Sequence, residues 1–264
     1  RLPAGGIKGE SEYAAVMART RQLQPPYEAY DEGRKAHAEK QLDLPMTKAD
    51  EPLKQFNGEA HLHALRGDIR LVEDKYDCAE TNYTRAFERR DDFFYYHLQR
   101  GIARKEGGNA DGAVAVLERS IELLPTAPAH YALGDIAKAR GDVPTAVKHY
   151  RVVAKSGGDY GKAAAAEVVR LDIADNPSAY VASRCSADAN ARLIVAVRNE
   201  SPVAIEGIEV AVTYTDAGGR RLQQRFAINA RLNSGEVSSV NTGMGPYQQQ
   251  SPCPAEVVAA RVAE

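Results

Sequence analysis

Side chains able to hold a metal or act as nucleophiles are scarce in this sequence: six histidines and three cysteines among 264 residues. A zinc-binding helix sets two histidines four residues apart, so that both reach one face. His61 and His63 are only two apart, on different sides of a helix, and no His-Glu-x-x-His run occurs. His97 and His130 fall where a helical pair wants a bulky residue, and they read as packing groups. No Cys-x-x-Cys pair is present, which excludes a zinc ribbon and a thioredoxin-type redox centre. Ala4-Gly5-Gly6, Gly107-Gly108 and Gly157-Gly158 lack the Lys-Ser/Thr ending of a phosphate-binding loop and read as turns. No spacing assembles a Ser/His/Asp or Cys/His set. The expectation is a chain with no catalytic residue, no metal ligand and no cofactor of its own.

The elements around these residues follow from composition. Hydrophobic residues at 44% and charged residues at 27% are the balance of a soluble globular protein. Thirty-four Lys and Arg against thirty-six Asp and Glu leave no basic field for nucleic acid. The apolar runs fall well short of the ~20 residues a spanning helix needs. The chain starts at Arg1, not Met, so a processed or truncated chain is expected. Near residue 180 the composition turns: Ala, Leu, Glu, Lys and Arg give way to Val, Thr, Asn, Ser and Gly, and Lys disappears. Asn176-Pro177 marks the change, because the residue before Pro is driven out of the helical region.

Before that point the chain repeats. Gly67, Gly101 and Gly134 are spaced by 34 and 33 residues. Twelve residues after each comes Ala79, Ala113 or Ala146; sixteen after comes Tyr83, Leu117 or Tyr150. Ala86, Ser120 and Val153 close the frame, and Arg140-Gly141-Asp142 matches Gly107-Gly108-Asn109. Small residues let two helices approach; the Tyr or Leu fills the space toward the next pair. The pattern resembles the tetratricopeptide repeat, a helix pair of ~34 residues. Gly33, 34 residues before Gly67, would open a degenerate fourth unit with helices over Tyr27–Gln41 and Lys48–Phe56, after a helix over 10–24. A closing helix over 161–171 would cap the array. The domains expected are N-terminal helices and a degenerate repeat (1–59), repeats with a cap (60–180) and a β-domain (181–264). The fold class is a repeat α-solenoid followed by a small immunoglobulin-like β-sandwich.

Period-two alternation supports the β-domain. Leu193, Val195 and Val197 share one face, as do Ile208, Val210, Val212 and Tyr214. Asp216-Ala217-Gly218-Gly219 is a hairpin turn, with more strands expected over 221–229, 236–242 and 256–262. Cys185 and Cys253 stand before the first and last of these strands, at points a sandwich can bring together. They are either a disulfide, which an export compartment allows, or two free thiols. Cys78, in a second helix, is expected to be buried.

Within the repeat frame, a binding groove would be lined from the first helices by Ala64, Asp68 and Leu71, by Tyr95, Leu98, Ile102 and Lys105, and by Tyr131, Asp135 and Lys138. Asp91-Asp92-Phe93-Phe94-Tyr95-Tyr96 should turn half its rings to the core and half to that groove. Some repeats of this type clamp a C-terminal carboxylate with Lys and Asn; Ala64 and Asp68 occupy the matching places, which argues against that clamp.

Leu65-Arg66-Gly67-Asp68-Ile69, Leu98-Gln99-Arg100-Gly101-Ile102-Ala103, Leu133-Gly134-Asp135-Ile136-Ala137 and the run ending Leu124-Pro125-Thr126-Ala127 resemble one region of a bacterial family. This is the C-terminal part of periplasmic zinc metallopeptidases of the beta-barrel-assembly-enhancing type. Val197-Arg198-Asn199-Glu200-Ser201-Pro202-Val203 through Tyr214-Thr215-Asp216 is similar to the FxLYD type of β-domain. The resemblance implies a periplasmic or otherwise extracytoplasmic protein whose zinc motif lies in a preceding protease domain. This chain would then be its non-catalytic part, recognising polypeptide clients in outer-membrane protein quality control. A free-standing scaffold of an envelope complex, and an enzyme with a site between the two domains, are the other readings.

Overall fold

The computed structural model describes residues 60–247 and 252–263, apart from the side chain of His61. The helices expected over 10–24, Tyr27–Gln41 and Lys48–Phe56 lie outside the described residues. Seven helices come first: α1 (Ala60–Val72), α2 (Tyr76–Phe87), α3 (Phe94–Glu106), α4 (Ala110–Leu123), α5 (Ala127–Ala139), α6 (Val143–Ala154) and α7 (Gly158–Asp172). A short 3-10 turn at Pro177–Ala179 leads to six strands: β1 (Val181–Ala187), β2 (Leu193–Asn199), β3 (Ile205–Thr215), β4 (Arg221–Ile228), β5 (Val237–Asn241) and β6 (Ala255–Val262). The chain divides into two compact units, Arg1–Ala132 and Leu133–Glu264. The composition change near 180 therefore marks the switch from helix to strand, inside the second unit.

Each helix pair is built on the glycine frame. A Cβ added to Gly67 would stand 2.8 Å from the Tyr83 ring, one on Gly101 2.6 Å from Leu117, and one on Gly134 2.7 Å from the Tyr150 ring. At under 3.0 Å a Cβ would force the facing Tyr or Leu to shift, so glycine is what lets α1 meet α2, α3 meet α4 and α5 meet α6 this closely. Ala79, Ala113 and Ala146 are fully buried, and so are Tyr83, Leu117 and Tyr150. Ser120 fills the site where Ala86 and Val153 stand, and its hydroxyl donates to the Phe94 carbonyl at 3.0 Å.

The turn inside each pair has its own rule. Seven residues after the frame glycine, Asp74, Gly108 and Gly141 all adopt positive φ, at 56°, 84° and 75°. Asp and Gly are among the residues that accept this left-handed region most readily. The next residue caps the second helix: the Asn109 side chain accepts from the Gly112 amide and that of Asp142 from the Thr145 amide. Lys75, at the same place, supplies no side-chain cap.

In the second unit two antiparallel three-stranded sheets, ordered β1-β2-β5 and β4-β3-β6, share one core. Val195 and Val197 from one sheet meet Val210, Val212 and Val257 from the other in that core, and Val169 of α7 and Ile173 just after it join it. The Asp216 turn forms as expected: its carboxylate accepts from the Gly218 and Arg220 amides, and Gly219 takes φ 82°. Strand β1 is an addition to the sequence reading. It carries mostly small and polar residues and gains its identity by pairing along β2 from Val181↔Asn199 to Ala187↔Leu193. Cys185 thus lies within a strand, not ahead of the first one. Its sulfur is bonded to that of Cys253, with the Cα atoms 5.8 Å apart.

Candidate protein-binding site

In the first unit the residues expected to line a groove do different jobs. Asp68 on α1 accepts the hydroxyl of Tyr83 from α2 at 2.6 Å and that of Tyr95 from α3 at 2.8 Å. One carboxylate oxygen therefore joins three helices. Burial pushes the Asp68 carboxyl up to about 6, against the opposing pull of the two tyrosine hydroxyls. Asp68 is engaged within the fold, and a ligand would meet it as part of a wall. Arg104 of α3 plays the matching basic role: its Nε donates to Glu80 of α2 at 2.6 Å and its Nη1 to the Gly112 carbonyl of α4 at 2.9 Å.

Leu98 is 6% exposed and Ala64 4%, so both belong to the core; the sequence reading that set them on the groove is corrected. Leu98 falls three residues before Gly101, on the side of α3 that the close helix contact covers. Leu71 is half-buried against the cluster of Ala64, Ala79, Tyr83 and Tyr96. Of the uncharged groove residues expected on α3, Tyr95 and Ile102 remain partly open. Seven residues apart, they stand within roughly 20° of each other around the helix. Lys105 is half-buried and paired with Glu106 at 3.1 Å. Tyr131, half-buried, is on α5.

The aromatic run at the start of α3 is sorted by depth. Tyr96 and His97 are buried, while Phe93, Phe94 and Tyr95 are half-buried. Phe93 packs edge-on against Phe94 and Tyr96, with centroids 5.4 and 5.0 Å apart, and Arg90 lies over its ring. His97 packs against Phe87 at 5.0 Å, and its Nε2 is 2.9 Å from the Asp91 carbonyl oxygen. His97 is thus a packing histidine with a backbone partner. Cys78 is exposed, not buried as expected. The buried side of α2 carries Ala79, Asn82, Tyr83 and Ala86, and Cys78 is one residue, about 100°, off that side.

In the second unit Asp135 of α5 repeats the within-pair bond of Asp68, accepting the Tyr150 hydroxyl at 2.7 Å. Lys138 is exposed and ion-paired with Glu167 of α7. The polar bond tracks the sequence frame. Where Asp follows the glycine, a Tyr stands sixteen residues after it, as in Gly67-Asp68 with Tyr83 and Gly134-Asp135 with Tyr150. Where Ile follows it, the partner is Leu, as in Gly101-Ile102 with Leu117. This coupling was visible in the sequence as spacing but needed the structure to show the bond. Among the described residues no three His, Cys, Asp or Glu side chains gather as metal ligands, and no described helix is long and apolar enough to cross a membrane.

The sequence matches no protein-family model and no curated protein. Solved structures do match. TTC0263, a thermophilic tetratricopeptide-repeat (TPR) protein of Thermus thermophilus, aligns with a TM-score of 0.50 at 15% identity, over 58% of this chain and 87% of that one. MamA aligns with a TM-score of 0.48 at 16% identity, over 56% of this chain and 81% of its own. The second TPR domain of human RPAP3, solved with an HSP70 peptide, aligns with a TM-score of 0.39 at 23% identity, over 44% of this chain and 96% of that domain. The likeness to the Thermus protein is one of fold: the helical part is built of tetratricopeptide-like repeats.

Proposed function

We propose that this chain is a non-catalytic protein-binding module that recognises polypeptide through the first helices of its repeats. The observation carrying this reading is the open face of α3, where Tyr95 and Ile102 stand half-exposed on a helix fixed by the Gly101–Leu117 contact and the Asp68 junction. Aromatic and aliphatic side chains held rigidly on a helix make good anchors, because little entropy is lost when a ligand covers them. Tyr131 adds a second such ring on α5. The acidic and basic groups expected in the groove are tied into the fold, so recognition rests on apolar contact.

The wider setting is part of the same proposal. The resemblance of the repeat segments supports a parent that is an envelope zinc metallopeptidase, with its zinc outside this chain. The bonded Cys185 and Cys253 support an oxidising, extracytoplasmic compartment. The strand orders, with β1-β2-β5 facing β4-β3-β6, support an immunoglobulin-like sandwich, since they reproduce the A-B-E and C-F pairings of that fold.

The test uses a permanently unfolded, carboxymethylated polypeptide as client. Ile102→Ala with Tyr131→Ala removes two anchors and should weaken binding about tenfold or more, with an unchanged circular-dichroism spectrum. Unchanged binding would refute the first-helix site. A His-Glu-x-x-His motif encoded ahead of Arg1 would support the parent; its absence from the full gene would remove it.

A further inference from the structure

The outer face of α6 carries side chains that neither the core nor the first-helix row uses. Together with the C-terminal end of α7 it forms a cleft of about 570 Å³. Its apolar lining includes Val143, Val152 and Leu171, with the buried Val147 beneath them. Val143 is 37% exposed and Val152 47%. Valine is a poor helix former, so an exposed one gains neither helix propensity nor burial. Lone exposed valines are ordinary; here they line one concavity.

Three cations border the same cleft: Lys148, Arg151 and Lys155. Arg151 is already used. Its Nη2 lies 2.9 Å from Asp172, which also accepts from the Tyr180 hydroxyl at 2.6 Å and from Asn176 at 2.9 Å. Burial alone would raise the Asp172 carboxyl, but the bonds from Tyr180 and Asn176 and the Arg151 charge hold it below the usual carboxylate range. That carboxylate is engaged by Arg151, Tyr180 and Asn176 and forms no ion pair with either lysine among the described residues. Lys148 and Lys155 form no ion pair among the described residues. The only other acid of the lining is exposed Asp175.

We propose that this cleft docks an extended, acidic polypeptide segment. Lys148 and Lys155 each take a carboxylate, and Val152 with Leu171 receives an aliphatic side chain between them. The spacing sets the pattern. Seven residues of helix separate the two ammonium groups by ~10 Å along the axis. An extended chain in the polyproline II conformation, with three residues per turn and a rise of about 3.1 Å, covers nearly that distance in three residues and returns to the same side, so the acids stand at i and i+3. Asp175 disfavours a further acid at its end of the cleft. Nucleic acid and membrane fit less well, because two free lysines on a chain of net charge -2 make no basic field. The site lies apart from Tyr95, Ile102 and Tyr131 in sequence and in unit, and does not rest on the first-helix reading.

The experiment uses the whole chain and a labelled nonapeptide, with Glu at its third and sixth positions and Val between them. Fluorescence anisotropy should show saturable binding that Lys148→Glu with Lys155→Glu weakens about tenfold or more. Raising salt from about 0.05 to 0.3 M should weaken it several-fold. Amide shifts should fall on α6 and the end of α7, and Tyr131→Ala should leave the affinity unchanged, which separates this site from the first. Both lysines are exposed, so circular dichroism of the double variant should match the parent. The proposal is overturned by absent binding at 1 mM peptide (about 4 kcal/mol of affinity), by equal binding of a Lys-for-Glu peptide, or by a double variant that binds like the parent. Inorganic phosphate reproducing the whole shift pattern, including Val152, would likewise overturn it in favour of a simple anion site.

Discussion

Replacing Asp68 by Asn tests whether the three-helix junction is built on a carboxylate that would prefer to be neutral. Asn keeps the oxygen that accepts from Tyr83 and Tyr95 and removes the charge. The carboxyl rises from 3.8 to about 6 on folding, chiefly through burial. A raised acid favours the folded state most when protonated. Its stabilisation is complete below the unfolded value of 3.8 and is lost as pH climbs through 6. At about 1.4 kcal/mol per unit, the total is roughly 3 kcal/mol, of which about 2 kcal/mol falls between pH 4.5 and 8. The stability difference between the parent and Asp68→Asn should therefore shift by about 2 kcal/mol in favour of the variant over that range. Urea unfolding of both proteins at several pH values gives this double difference, in which the other carboxylates cancel. A carbon-13 titration of the Asp68 carboxyl should show a midpoint near 6. A midpoint near 4, or a flat double difference, would refute the account.

Three further outcomes are expected. Gly101→Leu should destabilise by several kcal/mol through overpacking against Leu117, and adding Leu117→Ala should recover part of the loss; melts of the two variants that agree within error would defeat the close-contact reading. Thiol titration of denatured, unreduced protein should find one thiol per chain, that of Cys78. Breaking the Cys185–Cys253 bond, whose ends are 68 residues apart, should cost about 4 kcal/mol in the loop-entropy account, read as an earlier urea midpoint after reduction.

Much of the helical fold is legible because its frame consists of residues with one physical use. A glycine at 101 or 134 marks a contact too close for a Cβ, and a Gly at 108 or 141 marks a left-handed turn. Alternation found the inner strands, whose faces are buried, but not β1, where Ser183, Arg184 and Ser186 hide the pattern. The site was less legible. Leu98 and Ile102 differ by one helical turn, yet one is core and the other half-open, and a first-helix frame does not separate them. Cys78 was misplaced by one residue. Asp68 and Asp135 looked like groove acids because their partners, fifteen residues on, belong to the second helix of the pair. Nor does a sequence show that Val143 and Val152 share a cleft with the end of α7.

The alternation of Gly-Asp with Tyr and Gly-Ile with Leu also constrains how such a chain can change. The two states are each self-consistent, but the steps between them are not. Ile102→Asp alone sets a carboxylate where Leu117 offers no donor, and Tyr150→Phe alone takes one from Asp135. A lineage can exchange one state for the other only by crossing a less stable intermediate or by changing both sites together. Positions fifteen residues apart should therefore change together. A designer averaging aligned repeats position by position would write chimeras of the two, and should choose the pair first and the average afterwards.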